Sequence, residues 1–499
     1  MTTERTPDPE AANSPPPTVV AASSLAPAAE RERRITVVGA LVAMLLAAID
    51  QASIAPAVTL IGADLGNTTF LSWVVAAYFV TATAVTTLYG KIADLHGRRF
   101  AMFAGIGTFL IGSAVSATAP DIGTLIAGRA IQGLGGGGLL VLAQTIIGDV
   151  VPPAERGRYV AYISGAWAFA SIAGPVSGGI IAEHVHWRAI FLLNLPLGIA
   201  ALVICNGPLK RLAWKKREHK LDLPGAFLAV TATVLLMLAL TWGGPRTGWA
   251  SRETLLLLGA AALVAAAFVT RLLRAAEPLI PLSILRDPTV AAATLGAFFV
   301  MASYTGLSVF LPIYLQMVQG LSISAAGLAL IAFMTGAVLG SLVVGRRGTT
   351  LRAYRLSAVG GLACSATALL ILAAMSNRLP LAAVEMLMLV TGAGLGSNFP
   401  MTTVAVQNAV DVRDLGAATG LLQFLRSLGS AIGIATLGAA AAVSGIGANL
   451  GVRGAGPSVV AQGASADFAP IFILAAVGCV VGLVCLFLIE DKPLRGRGG

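Results

Sequence analysis

Four charged side chains interrupt runs of apolar residues long enough to cross a membrane: Asp50, Arg129, Glu385 and Arg426. On insertion scales a charge at the centre of a bilayer costs about 2.5–3.5 kcal/mol, so each needs a partner or a task. The chemistry open to Asp50 is proton transfer. Low dielectric disfavours the charged form of a carboxylate and lets it exchange protons near physiological pH, whereas a nearby guanidinium favours the charged form. Arg129 is therefore read as the group that discharges Asp50 in one conformation but not in another, and Glu385 as a weaker candidate for proton coupling. For all four residues the alternative is pairing between helices that only fixes the bundle. Moving one charge through 100 mV is worth about 2.3 kcal/mol, which supports a roughly 40-fold concentration gradient. One such site is energetically sufficient for transport.

Three glycine-rich stretches accompany these charges. Gly90 to Arg99 is a charged loop between two apolar runs, in which Asp94 can pair with Arg98 or Arg99 or face the positive end of another helix, and Gly90 and Gly97 allow close approach. Contacts of that kind form in one state of a rocking bundle and bias its equilibrium, so the loop is read as a conformational latch; the alternative is a loop that only sets topology. Arg129 opens the stretch Arg129-Ala130-Ile131-Gln132-Gly133-Leu134-Gly135-Gly136-Gly137-Gly138. Its glycines match a dinucleotide fingerprint in form only, because no strand precedes them and they lie inside an apolar span. They are expected to thin one helix face so that a neighbour can approach. Gly174-Pro175-Val176-Ser177-Gly178-Gly179 combines a proline, which removes a backbone donor and kinks a helix, with glycines suited to near-contact. It is read either as a seal against leak or as ordinary helix packing. Tyr78, Gln132, Tyr304, Tyr314, Gln316, Asn398, Gln423 and Arg426 are the polar, aromatic or charged candidates for a substrate cavity.

The elements that must position these residues are membrane helices. Of 499 residues 57% are hydrophobic and 11% charged, against about a quarter charged in soluble domains. Apolar runs of about 20 residues have the length a helix needs to cross a bilayer, and a lipid-embedded backbone must satisfy its own hydrogen bonds. Fourteen candidate spans follow, at about 35–61, 70–91, 101–118, 122–148, 159–182, 189–208, 222–242, 254–273, 290–316, 325–345, 355–376, 380–402, 415–444 and 469–490. With both termini cytoplasmic, the outer segments hold only Arg188, Arg246, Arg252, Arg378 and Arg453 of the 33 Lys and Arg, as the positive-inside rule requires. The net charge of +10 then reflects orientation, and a nucleic-acid partner is not needed to explain it. The expected fold is an all-α polytopic membrane protein. It has a disordered cytoplasmic tail (1–34), a six-helix bundle (35–208), a basic linker (209–221), two inserted helices (222–273), a second linker (274–289), a second six-helix bundle (290–490) and a short cytoplasmic tail (491–499). Gly345-Arg346-Arg347 faintly repeats the Gly90–Arg99 loop where a second repeat would place it. Cys205, Cys364, Cys479 and Cys485, and the histidines at 96, 184, 186 and 219, have neither redox nor zinc spacing. No metal site, cofactor or catalytic constellation is expected.

Together these motifs resemble the major facilitator superfamily, and the six-two-six layout resembles its 14-helix drug:proton antiporter branch. Gly90-x-x-x-Asp94-x-x-Gly97-Arg98-Arg99 is similar to the superfamily loop motif, Arg129-x-x-Gln132-Gly133 to the helix 4 motif implicated in proton transfer, and Gly174-Pro175-x-x-Gly178-Gly179 to the antiporter motif of helix 5. Trp187-Arg188, Asn194-x-Pro196-x-Gly198, Leu221-Asp222-x-x-Gly225 and Glu277-Pro278-Leu279-x-Pro281-Leu282 resemble connectors of the 14-helix branch. Helix 1 departs from the branch, with Pro56 one turn closer to Asp50 than usual. Helix 13 carries Arg426 and no carboxylate, which counts against dicationic cargo; Glu385 maps to no family motif. The resemblance implies a proton-driven exporter of small amphipathic compounds such as antibiotics, working by alternating access as a monomer in a bacterial inner membrane, with substrate, protons and lipid as its partners. An exporter of a lipid, siderophore or secondary metabolite is the alternative, and a non-transporting receptor a remote one.

Overall fold

The computed structural model describes residues 20–66, 70–151, 156–211, 222–243, 248–275, 278, 282–347, 350–411, 415–446 and 467–490. Fourteen long helices run through them: α1 (Val20–Leu65), α2 (Leu71–His96), α3 (Arg98–Ala117), α4 (Ile122–Val150), α5 (Arg156–His184), α6 (Arg188–Arg211), α7 (Leu223–Gly243), α8 (Arg252–Arg274), α9 (Pro288–Met317), α10 (Ile323–Arg347), α11 (Leu351–Met375), α12 (Leu381–Ala409), α13 (Leu415–Val443) and α14 (Ala469–Phe487). Thirteen are long and apolar enough to cross a bilayer. The other, α2, qualifies when its two stretches Leu71–Thr86 and Leu88–His96, inclined at 48°, are taken as one span. The fold is therefore all-helical and multi-pass, as the apolar periodicity predicts. One boundary differs: α1 begins at Val20, well before residue 35; the strong helix formers Ala28 to Arg34 continue the span backward, although Pro27 and two serines lie ahead of them. The remainder of the expected tail (1–19), most of the 209–221 linker and the 491–499 tail lie outside the described residues.

Several helix starts are fixed by side-chain caps. Asp121 accepts from the Thr124 amide at 2.9 Å to open α4, and the backbone and side-chain hydrogen bonds of Thr124 hold that carboxyl below the ordinary range. Asp287 caps α9 through the amides of Thr289 and Val290, with Pro288 in the first turn, where its missing N–H costs nothing. Ser251 and Thr350 do the same for α8 and α11.

The helices pack as two bundles, α1–α6 and α9–α14, with the α7–α8 hairpin laid beside α2 and α13. The tightest pairs in the two bundles correspond. In the first, Gly133 and Gly137 of α4 lie on the backbone of α2 at Tyr78 and Ala82. In the second, Gly392 and Gly396 of α12 lie on the backbone of α10 at Phe333 and Ala337. No side chain fits at these contacts. Between helices in lipid, where burial against hydrocarbon gains little, such close approach is a main source of cohesion. The hairpin is pinned by Trp73 Nε1 donating to Thr241 Oγ1 (2.9 Å) and by stacking of Phe268 on Phe424. Its two helices are tied at their other end by Arg271 and the buried carboxylate of Asp222 (3.0 Å). Most of α8 presents apolar side chains outward, Leu255, Leu256, Leu263 and Leu273 among them, as a lipid-facing helix must.

The C-terminal end of the described chain lies on the face where α11 begins, since Arg355 at the start of α11 donates to the carbonyl of Ile489 just past α14. We call this the near face. At the opposite, far face the two bundles meet directly. Thr59 of α1 donates to Gln316 of α9 (2.6 Å), and the Gln316 amide donates to the carbonyl of Pro56 (3.3 Å). Glu183, at the end of α5, accepts from the Ser324 amide of α10, and the Ser324 hydroxyl donates to the Gly179 carbonyl. The far side of the molecule is thus closed. A Cβ on Gly327 of α10 would lie 2.6 Å from the carbonyl oxygen of Pro175, a backbone atom that cannot rotate away.

Gly327→Val is therefore expected to part the seam at the far face. In a background lacking the four native cysteines, Ser324→Cys should react several-fold faster with a membrane-impermeant maleimide when Gly327→Val is also present. Unchanged labelling would show that the seam does not depend on this contact.

Candidate coupling site in the first bundle

Asp50 and Arg129 meet inside the first bundle. Arg129 Nη1 lies 2.6 Å from Asp50 Oδ2, and both side chains are 0% exposed. The carboxylate is satisfied on its other oxygen by Asn194 Nδ2 (2.6 Å) and Gln132 Nε2 (3.2 Å). Gln132 in turn accepts from Arg129 Nη1 (2.8 Å) and donates to Ser113 Oγ (2.7 Å), which also accepts from Asn194. Arg129 Nε donates to the carbonyl of Val74 (3.1 Å), and the guanidinium lies over the rings of Tyr78 (4.8 Å) and Phe191 (5.9 Å). Helices α1, α2, α3, α4 and α6 all contribute. Two buried polar atoms, Arg129 Nη2 and the Tyr78 hydroxyl oxygen, find no hydrogen-bonding partner.

The local sequence explains the convergence. Spacing of three on α4 puts Arg129 and Gln132 on one face, aimed at α1. The glycines that follow let α4 sit against α2 on one side and α3 on the other. A Cβ on Gly136 would strike the Tyr78 hydroxyl, and one on Gly135 would lie 2.5 Å from the Phe109 amide. The run therefore works as the sequence suggests, thinning the helix where two neighbours approach.

Residues 40–434 match the family described as Major Facilitator Superfamily. The chain belongs to the major facilitator superfamily. Among its curated relatives, Multidrug resistance protein 3 of Bacillus subtilis (strain 168) is 34% identical over 410 residues, covering 82% of this chain and 79% of the relative. Multidrug transporter protein MdtP of the same organism is 29% identical over 406 residues, covering 81% and 74%. Among solved structures, an auto-inhibited POT family peptide transporter superposes with a TM-score of 0.64 at 14% identity, covering 94% of this chain and 99% of that one. That likeness bears on the fold. The protein is accordingly a multi-pass membrane transporter of this superfamily.

The superfamily loop lies at the near face. Arg98 bridges Asp94 (2.7 Å) and Asp149 at the end of α4 (2.8 Å), and Arg99 Nη2 donates to Asn206 of α6 (2.7 Å) while lying over Phe103. Gly97, at φ +91°, adopts a conformation that side chains rarely take, whereas a Cβ on Gly90 would meet nothing within 4 Å in this conformation. The helix 5 motif lies between the bundles. Gly174 and Gly178 rest on Ala52 and Ser53 of α1, within a turn of Asp50, while Pro175 and Gly179 face α10. Of the connectors, Trp187 and Arg188 donate to Asp64 (3.0 and 2.7 Å), bracing α6 against α1 at the far face. Leu221, Glu277, Leu279 and Pro281 lie outside the described residues.

The cavity candidates scatter. Tyr78 and Gln132 belong to the Asp50–Arg129 cluster and are fully enclosed. Tyr314 is buried against Phe468 and Phe472 with its hydroxyl donating to the Ser376 carbonyl, and Gln316 sits in the far seam. Asn398 is enclosed, with both side-chain polar atoms unpaired. Glu385 is half-buried near the start of α12, toward the far face rather than mid-membrane, and is remote from Asp50. Tyr304, Gln423 and Arg426 remain partly accessible in the second bundle. Sequence reasoning missed Asn194 as a partner of Asp50 and Ser113 as the acceptor that joins Asn194 to Gln132. For Ser113 the only signal was a polar residue alone in an apolar run, and Asn194 was read only as part of a connector.

Removing one partner of a buried ion pair costs about 3–5 kcal/mol, because the other charge is left uncompensated. Arg129→Met should therefore melt well below the wild type in detergent, whereas Asp50→Asn with Arg129→Met should recover much of the loss. Equal melting of single and double variants would show that the two charges do not depend on each other.

Proposed function

We propose that the protein is a proton-coupled exporter of small amphipathic compounds such as antibiotics or drugs, an antiporter of the 14-helix branch working by alternating access in a bacterial inner membrane. The observation that carries this reading is the wholly buried Asp50–Arg129 pair in the core of the first bundle. A carboxylate there is a functional group by default, and a proton is the one ligand small enough to reach it without unpacking the bundle. Taking the near face as cytoplasmic, as the positive charges suggest, the far-closed conformation is the one that receives cargo from inside. Protonation of Asp50 removes the negative charge that compensates Arg129 and weakens the hold of α4 on α1. That is a differential free energy between states, which a conformational shift requires. The contacts of α5 with α1 and α10 keep the far seam shut while this happens, limiting leak. The names of the Bacillus relatives support drugs as the cargo class. No cofactor enters the cycle; the proton gradient drives it, and one chain suffices.

Asp50→Asn keeps the shape and can still accept from Arg129; it should melt below the wild type, as loss of one charge of a buried pair requires, and its melting transition checks that it folds. In inverted vesicles, substrate-induced proton movement is expected in the wild type and should be lost in Asp50→Asn. Full coupled transport by the variant would overturn Asp50 as the proton carrier. Equal transport after collapse of the proton gradient would overturn antiport itself.

A further inference from the structure

Arg426 is the second arginine inside the membrane, and its surroundings differ from those of Arg129. It lies on α13, where its Nη2 donates to the Phe399 carbonyl (2.9 Å), Thr402 Oγ1 (2.9 Å) and Thr403 Oγ1 (3.0 Å) of α12. All three acceptors are neutral. Its Nε is buried without a hydrogen-bonding partner, and no carboxylate pairs with it among the described residues. Glu385 shares α12 with Phe399 but lies fourteen residues before it, about 21 Å along a helix that rises about 1.5 Å per residue. Neutral oxygens offset part of the desolvation of a guanidinium and none of its charge. The second bundle therefore holds a cation in the membrane with no anion on these residues to balance it.

The neighbouring surface is aromatic. The guanidinium carbon of Arg426 is 5.8 Å from the Phe399 ring. Phe399 meets Tyr304 edge-on (5.4 Å), and Tyr304 stacks on Phe333 (5.2 Å). The Tyr304 hydroxyl donates to Met334 of α10 (3.1 Å), the helix that packs against α5 of the first bundle, so this wall stands beside the contact between the bundles. A role confined to tying α13 to α12 would not need a charge, since a neutral donor could hold the same three oxygens. A planar guanidinium with a free donor edge suits a carboxylate.

We propose that Arg426 is the anion subsite of the transport pathway, taking the carboxylate of an aromatic acid whose ring packs against Phe399 and Tyr304. This rests on the exporter reading and narrows its cargo to amphipathic acids. Binding can be measured without a gradient, which separates this proposal from proton coupling. Dansyl-phenylalanine supplies the carboxylate and its amide supplies a neutral counterpart. Purified wild-type protein should bind the acid at least about tenfold tighter than the amide, a difference of about 1.4 kcal/mol. Arg426→Gln should abolish that preference, and Arg426→Lys should retain part of it. The proposal is overturned if the wild type shows no saturable binding of the acid, if acid and amide bind it equally, or if the preference survives in Arg426→Gln. Loss of gradient dependence in the vesicle assay would instead overturn the exporter reading and leave this result standing.

Discussion

A carboxylate and a guanidinium sealed from water inside a membrane bundle set the terms for the rest of the first bundle. Each ion gives up several kcal/mol of solvation on burial, which mutual attraction offsets only when every remaining lone pair and donor is supplied. Asn194 and Gln132 donate to Asp50, with Ser113 accepting from both, and the Val74 carbonyl and the Tyr78 and Phe191 rings serve Arg129, whose Nη2 is left without a hydrogen-bonding partner. Those groups sit on different helices, so the helices must converge. Convergence in turn requires glycine wherever two backbones would otherwise be held apart by a side chain. The glycine run of α4 is thus a consequence of the ion pair as much as a packing motif. Neutralising Asp50 with a proton acts on a site that several helices share, and its effect is not confined to one side chain.

The two bundles share their packing but not their charge. Glycines of α4 on α2 and of α12 on α10 give the same backbone contact in each. Within that common frame the first bundle balances its arginine with Asp50, while the second leaves Arg426 facing neutral oxygens. If Asp50 takes the proton and Arg426 the cargo, the two loads sit in different bundles and compete through the conformation of the molecule instead of through a common pocket. An anionic cargo also alters the electrical cost of the cycle. Exporting one negative charge in exchange for an inward proton moves two charges down a potential that is negative inside, about 4.6 kcal/mol at 100 mV.

Much of this was legible in the sequence, for reasons that differ by residue. Apolar runs near 20 residues and the asymmetry of Lys and Arg give helices and their number because the bilayer permits few alternatives. The Asp50–Arg129 pair was legible because lone charges in hydrocarbon have few possible partners. Tyr78 and Gln132 were expected in a cavity and lie instead in that cluster. Their polarity was correctly noticed, but which face of α2 and α4 is enclosed depends on neighbours distant in sequence. The same holds for Tyr314 and Gln316, whose partners on Ser376, Thr59 and Pro56 lie outside their own helix. Ser113 went unnoticed, and Asn194 was read only as part of a connector, because serine and asparagine are common in membrane helices, where they often only join neighbours.

The helix 5 motif lies between the buried pair and the closed far face, and on the antiport proposal it is the mechanical link between them. Gly174 and Gly178 put the backbone of α5 on Ala52 and Ser53, a fraction of a turn beyond Asp50, and Pro175 and Gly179 put the same stretch on α10. Where side chains separate two helices, a small displacement of one is absorbed by rotamer changes. Backbone-to-backbone contacts have no such slack, so on the antiport proposal a shift of α1 would be taken up by α5 as a body and passed to Gly327 and Ser324 of the other bundle. Side chains at Gly174 or Gly178 would loosen this link without touching either charge. On that proposal the glycines serve the transmission of movement as well as packing, which would account for a motif that bears no chemistry lying so close to the carboxylate assigned the proton.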